Sequence, residues 1–113
     1  MKILIINGAN LNLLGQRQPE IYGSESFEDI LGALRNRYSE HTLDYYQSNI
    51  EGEIVDELQR ADGRYDGVVL NAGGYTHTSV VIRDAIASIR VPVVEVHLSS
   101  ILAREEFRHT SLI

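Results

Sequence analysis

Four short apolar runs alternate with segments of helical period, and that alternation admits few folds. The runs cover residues 3–6, 43–48, 67–70 and 91–97. Between them lie residues 26–38, 53–61 and a stretch from Ser79, each with an apolar residue every three or four positions. Strands that alternate with helices predict βαβ units and a parallel sheet. Residues 67–70 (Gly-Val-Val-Leu) are apolar throughout, as suits a central strand. Residues 43–48 are more polar and alternating, as suits an edge. Pro92 is placed where a strand starts. Ser26 and Asp29 predict an N-cap pair for the first helix. That helix should bury Phe27, Ile30, Leu31, Leu34 and Tyr38. The second should bury Ile54, Leu58 and Ala61, and the third Val81, Ile82, Ala85, Ile86 and Ile89. Asp84 lies off the last stripe and should point away from its own subunit's core. A short helix is expected over about residues 103–108.

At 113 residues the chain predicts one domain, residues 1–113. Its 43% hydrophobic content suffices for a single core. A formal net charge of −6 with no basic run argues against nucleic acid and anionic membranes as partners. No cysteine is present, which removes disulfides, thiolate nucleophiles and Cys-ligated metals and fits a reducing cytoplasm. The first strand begins at once, so no signal peptide is expected. The longest apolar run falls far short of a membrane span. The only lysine is Lys2, at the head of the first strand. Schiff-base chemistry would have to use it from the wrong end of an α/β sheet.

Ligands of such sheets bind outside the carboxyl ends of the strands. Three segments converge there: residues 7–23, 71–77 and 97–100. The first is too long for a plain strand-to-helix connection, which normally takes a handful of residues. It holds Arg17 and Tyr22 between Gly15 and Gly23, the pattern of a hinged lid. A free tyrosine titrates near ~10, and a nearby guanidinium would favour its phenolate form. A tyrosine that only packs the loop down would leave the same trace. Glu95 and His97 are two apart on a strand and share a face, so the carboxylate can orient the imidazole. An ion pair at a strand end reads identically. Asn71-Ala72-Gly73-Gly74 precedes a helix start, where backbone N–H groups can approach an anion, although a tight turn explains it as well. His77 reads alone as a cap or surface residue. The charged run Arg104, Glu105, Glu106, Arg108, His109 reads as a solvated face.

Taken together, these segments resemble type II 3-dehydroquinate dehydratases. The likeness is carried by residues 7–15 (NGANLNLLG), 17–23 (RQPEIYG), 47–49 (QSN), 51–53 (EGE), 73–79 (GGYTHTS), 82–85 (IRDA), 93–99 (VVEVHLS) and 103–109 (AREEFRH), in order along the whole chain. The resemblance implies a flavodoxin-like three-layer sandwich around a parallel sheet, without the fifth strand and last helix usual in the family. It implies trans-dehydration of 3-dehydroquinate to 3-dehydroshikimate through an enolate, a shikimate-pathway step of aromatic amino acid biosynthesis. No cofactor and no metal are implied. By motif position Tyr22 is the base, Arg17 its activator, and His97 the acid oriented by Glu95. Asn10, with the backbone at Ala9 and Gly74, would hold a water on the enolate oxygen. Asn71 and the amides of Leu98 and Ser99 would bind the carboxylate. His77, Arg108 and an Asp84 from a neighbouring subunit would bind the ring hydroxyls, in trimers that assemble into a dodecamer. The chain departs from the family pattern at Ala9 and Ala72, where proline is usual, and at Ile50 and Gly74. Losing the prolines should loosen both loops. The alternative is a non-catalytic flavodoxin-like domain that binds a small anion.

Overall fold

The computed structural model describes residues 1–16, 20 and 24–113. Four strands form one parallel sheet: β1 (Lys2–Asn7), β2 (Thr42–Gln47), β3 (Gly67–Asn71) and β4 (Val93–Glu95). Among the described residues three helices lie along these connections: α1 (Phe27–Arg37), α2 (Glu51–Ala61) and α3 (Val80–Ser88). The spatial order is β2-β1-β3-β4. From β1 the chain steps to one side to make β2, then returns past β1 to make β3 and β4. This reversal opens a crevice between the carboxyl ends of β1 and β3.

The period-two pattern of the strands divides the core. Leu4 and Ile6 of β1 join Val68 and Leu70 of β3 on one face, against Ile54, Leu58 and Ala61 of α2 and Ile82 and Ala85 of α3. Ile5 and Leu31 are buried on the opposite side, where Phe27 at the start of α1 stacks on Tyr45 with ring centroids 4.8 Å apart. Arg35 of α1 also donates from Nε and Nη2 to the Leu43 carbonyl of β2. The result is three layers, as expected: one helix, the sheet, two helices.

The helix starts follow from side-chain chemistry. Ser26 accepts the Asp29 N–H and Asp29 accepts the Ser26 N–H, a capping box. Ser79, fully buried, accepts the Ile82 N–H at 3.0 Å and caps α3. α2 starts two residues before the expected point, at an N-cap Ile50 with no side-chain cap; beside it Ser48 accepts the Ile50 N–H at 2.9 Å and donates to Glu53 at 2.5 Å.

Several expectations are corrected. Val81 is 50% exposed: Ile82 and Ala85 are buried as expected and centre the stripe, and Val81 lies at its edge. Tyr38 caps the end of α1 and is exposed, out of reach of the core. The fourth strand pairs only over Val93–Glu95, with two flanking ladder bonds, from Val68 N–H to the Pro92 carbonyl and from Val96 N–H to the Leu70 carbonyl. β4 is an edge strand, and its Val94 is exposed. The helix expected over 103–108 is two 3-10 turns, Ile101–Ala103 and Glu106–His109, broken by extended backbone at Arg104 and Glu105.

Candidate active site

The crevice is held open by loops fused back to back. The Gly8 N–H donates to the Asn71 carbonyl at 2.7 Å, in line with the sheet ladder. A Cβ on Gly8 would lie 2.3 Å from the Ala72 carbonyl oxygen. Gly73 has φ +65°, and its Cβ would lie 2.7 Å from the Ala9 carbonyl oxygen. Only glycine permits this approach at both positions. The loop after β2 braces the pair. Gln47 donates to the Gly8 carbonyl at 3.2 Å, Asn49 accepts the Asn10 N–H at 2.9 Å, and the Tyr75 hydroxyl donates to the Asn49 carbonyl at 2.8 Å. Asn10 itself is left-handed, φ 70°, a conformation asparagine tolerates.

The cleft between these loops and the segment after β4 has a volume of about 120 Å³. Asn10, Asn71, His77, His97, Leu98, Ser99 and Arg108 all line it, seven of the residues singled out in the sequence. Glu95 stands behind His97. Its Oε2 accepts His97 Nε2–H at 2.5 Å, and its Oε1 accepts the Ser111 hydroxyl at 2.6 Å. Burial would push the Glu95 carboxyl up. The hydrogen bonds from Ser111 and His97, together with the charges of His97 and His77, outweigh burial and hold it below its ordinary value.

Asn71 is buried, and its Oδ1 accepts the Gly73 N–H at 3.1 Å. That contact orients the amide and leaves Nδ2 as its donor. The expected anion site at a helix N-terminus takes a different form. Residues Gly73–His77 make a 3-10 turn, and the first amides of α3 lie beyond it, capped by Ser79. Asn71, Leu98 and Ser99 line the cleft instead, the last two following the final ladder bond of β4.

The charged run is not a solvated face. Arg104 and Arg108 have side chains only 16% and 27% exposed and both line the cleft, while Glu105 at 57% faces outward. The extended backbone at Arg104 breaks the helix and swings both guanidiniums inward. Arg104 donates to the Ser99 hydroxyl at 3.3 Å. Arg108 donates from Nε to Glu105 at 2.5 Å and lies over the Phe107 ring. Two arginines and two histidines thus line one small cleft of an acidic chain, which suits a small anion. Arg104 had no role assigned from sequence, and Ser111 was not noticed at all.

Arg17 and Tyr22 lie outside the described residues. Asp84 is exposed on α3 and does not line the cleft, as its place off the apolar stripe predicts. Lys2 sits at the far end of the sheet, its ammonium 4.9 Å from the Tyr65 ring centroid. Among the described residues no group of three His, Cys, Asp or Glu could hold a metal ion, and no helix is long and apolar enough to cross a membrane.

The profile of the family described as "Dehydroquinase class II" matches residues 1–113. A relative from Synechococcus sp. (strain CC9605), named 3-dehydroquinate dehydratase, is 54% identical over all of this chain and 79% of its own length. One of the same name from Campylobacter jejuni is 52% identical over all of this chain and 72% of its own. Among solved structures, the type II dehydroquinase from Butyrivibrio crossotus superposes with a TM-score of 0.94 at 46% identity, covering 99% of this chain and 80% of that one. That from Propionibacterium acnes gives 0.91 at 35% identity, over 98% and 78%. A sheet in flavodoxin-like order, a cleft at its reversal point and matches that span this chain agree: the chain belongs to the class II dehydroquinase family.

Proposed function

We propose that the protein dehydrates 3-dehydroquinate to 3-dehydroshikimate without a cofactor, with Tyr22 as base and His97 as acid. The observation that carries this reading is the convergence on one cleft of Asn10, Asn71, His77, His97 and Arg108, with Glu95 bonded to His97. The names of the relatives supply the substrate.

The reaction removes a proton from the carbon beside the ketone and expels the hydroxyl one carbon further on. Tyr22, held as phenolate by Arg17, takes the proton, and the electron pair moves into an enolate. Asn10, through a water also held by the backbone at Ala9 and Gly74, stabilises the developing oxyanion. The enolate then re-forms the ketone and releases the hydroxyl, protonated by His97, as water. Because His97 Nε2 already donates to Glu95, the delivered proton comes from Nδ1 of the imidazolium. The ring is left neutral in the tautomer that Glu95 prefers, so no tautomer change is needed between turnovers. Asn71 Nδ2 and the amides of Leu98 and Ser99 bind the carboxylate, and His77, Arg108 and a neighbouring Asp84 bind the ring hydroxyls. In this reading the protein works in the cytoplasm as trimers assembled into a dodecamer, the neighbour's Asp84 completing each site. Lys2 points to the other end of the sheet, which fits a route without a Schiff base.

The test is to add 3-dehydroquinate to the purified protein and follow the conjugated enone by absorbance. Enone should form, borohydride should leave activity intact, and Tyr22→Phe should abolish turnover while substrate still binds. Calorimetric binding of 3-dehydroquinate with no enone formed would overturn the catalytic reading in favour of an anion-binding domain. Analytical ultracentrifugation tests the assembly: a monomer with full activity would remove the shared Asp84.

A further inference from the structure

The residues just before Ile113 are tied to the cleft from behind. The Thr110 carbonyl accepts His77 Nδ1–H at 2.9 Å. The Ser111 hydroxyl donates to Glu95 Oε1 at 2.6 Å. The Leu112 N–H donates to the Thr76 carbonyl at 2.8 Å, and Ile113 packs on the main core. Three consecutive residues therefore reach the supports of both cleft histidines.

Each contact constrains a proton. A carbonyl only accepts, so neutral His77 carries its hydrogen on Nδ1 and keeps Nε2 as an acceptor. The Glu95 carboxylate is shared out: one oxygen takes Ser111 and the other takes His97 Nε2–H. With Oε1 anchored, the carboxylate cannot turn away from the ring, and neutral His97 carries its hydrogen on Nε2. We propose that residues 110–112 are the positioning clamp of this site, setting opposite tautomers in its two histidines: Nδ1–H in His77 through Thr110, Nε2–H in His97 through Ser111 and Glu95. The proposal rests on the reading of His97 as the acid only for its effect on turnover.

The chemical consequence differs between the rings. His77 offers the cleft a lone pair, which suits a ligand hydroxyl that donates. His97 delivers a proton from Nδ1 only as the imidazolium that Glu95 stabilises. Ser111 touches no substrate in this scheme and acts through Glu95, as supporting hydrogen bonds do around other reactive imidazoles. The groups facing Glu95 are His97, Ser111 and, through space, His77, while Arg104 and Arg108 line the same cleft.

The experiment is nitrogen NMR of the imidazole rings in the full chain, wild type and Ser111→Ala, with the Glu95 carboxyl titrated by carbon NMR. The wild type should show His77 as Nδ1–H, the minor form of free histidine, and His97 as Nε2–H. In Ser111→Ala the His97 nitrogens should move toward tautomer averaging while His77 stays unchanged. The Glu95 titration should rise by roughly one pH unit, since a hydrogen bond to its charged form is gone. Turnover should fall about 10-fold with KM little changed, and Ser111→Thr, which keeps the hydroxyl, should restore it. Wild-type His77 found as Nε2–H overturns the clamp, whether or not any variant folds. So does a Ser111→Ala protein with unaltered His97 nitrogens and Glu95 titration. Altered nitrogens with undiminished turnover would uphold the clamp and overturn His97 as the acid, so the two failures are distinguishable.

Discussion

Gly8→Ala should damage stability and turnover together, for one geometric reason. The new Cβ would lie 2.3 Å from the Ala72 carbonyl oxygen, about 0.7 Å inside the 3.0 Å limit that real Cβ atoms respect. The obstacle is backbone, so no side chain can swing aside. The loops after β1 and β3 must separate, and doing so stretches the 2.7 Å bond from Gly8 N–H to the Asn71 carbonyl. Overpacking of this kind costs about 1–3 kcal/mol, and weakening a buried backbone hydrogen bond adds about 1. The expected destabilisation is therefore roughly 2–4 kcal/mol. The same separation moves Asn10 away from Asn71 by most of an ångström, and misplacement on that scale costs about 100-fold in rate. Urea unfolding followed by circular dichroism reads the first effect, and enone formation by the folded fraction reads the second. Gly32→Ala is the control: nothing lies within 4 Å of its Cβ in the interior of α1, so it should stabilise by about 0.5–1 kcal/mol. A Gly8→Ala protein with the wild-type midpoint and turnover would refute the claim that this contact sets the cleft.

Leu58→Ala should cost about 2–5 kcal/mol in urea unfolding, because Leu58 is fully buried at the centre of the α2 stripe; a loss below about 1 would show that the layer collapses around the gap. Asp62→Ala should cost roughly 1–2 kcal/mol, since its carboxylate accepts the N–H groups of Arg90 and Val91 before β4; amide exchange at Val91 should quicken. The Tyr65 hydroxyl donates to Asp44 at 2.6 Å, and this hydrogen bond, then burial, pushes its phenol up to about 12. A raised folded pKa contributes stability below the ordinary value of ~10 that is lost as pH rises toward 12. Ultraviolet titration should show a late ionisation of Tyr65 that Asp44→Ala returns toward the ordinary range. Glu95 has the opposite sign: its depressed pKa contributes stability above the ordinary carboxyl value that is lost as pH falls through the folded one. Glu95→Gln should therefore flatten acid unfolding near that range, measured by circular dichroism.

Local pattern carried much of this protein. The alternation of apolar runs with helical stripes specified the parallel sheet, and Ile54, Leu58 and Ala61 fell inward because a 3.6-residue period leaves them one face. Glu95 and His97 were legible as a pair because a strand repeats every two residues. The capping box at Ser26 was legible because its partner, Asp29, lies only three positions on. Val81 was misread because it lies at the edge of the stripe that Ile82 and Ala85 centre, where a 3.6-residue period alone does not decide burial.

Tertiary structure decided what no local period encodes. Arg104 and Arg108 sit in a run that reads as solvent-facing, and only the break between two 3-10 turns brings them into the cleft. Ser111 meets Glu95 across sixteen residues of sequence, and Thr110 meets His77 across thirty-three. What requires Gly8, and with its positive φ Gly73, is the backbone of the neighbouring loop, at Ala72 and Ala9. Side-chain period is a property of one element's own geometry, so sequence by itself determined the elements and their buried faces. Contacts between elements depend on where the sheet places their ends, so only the folded chain decided which loops are fused and which residues stand behind the reacting groups.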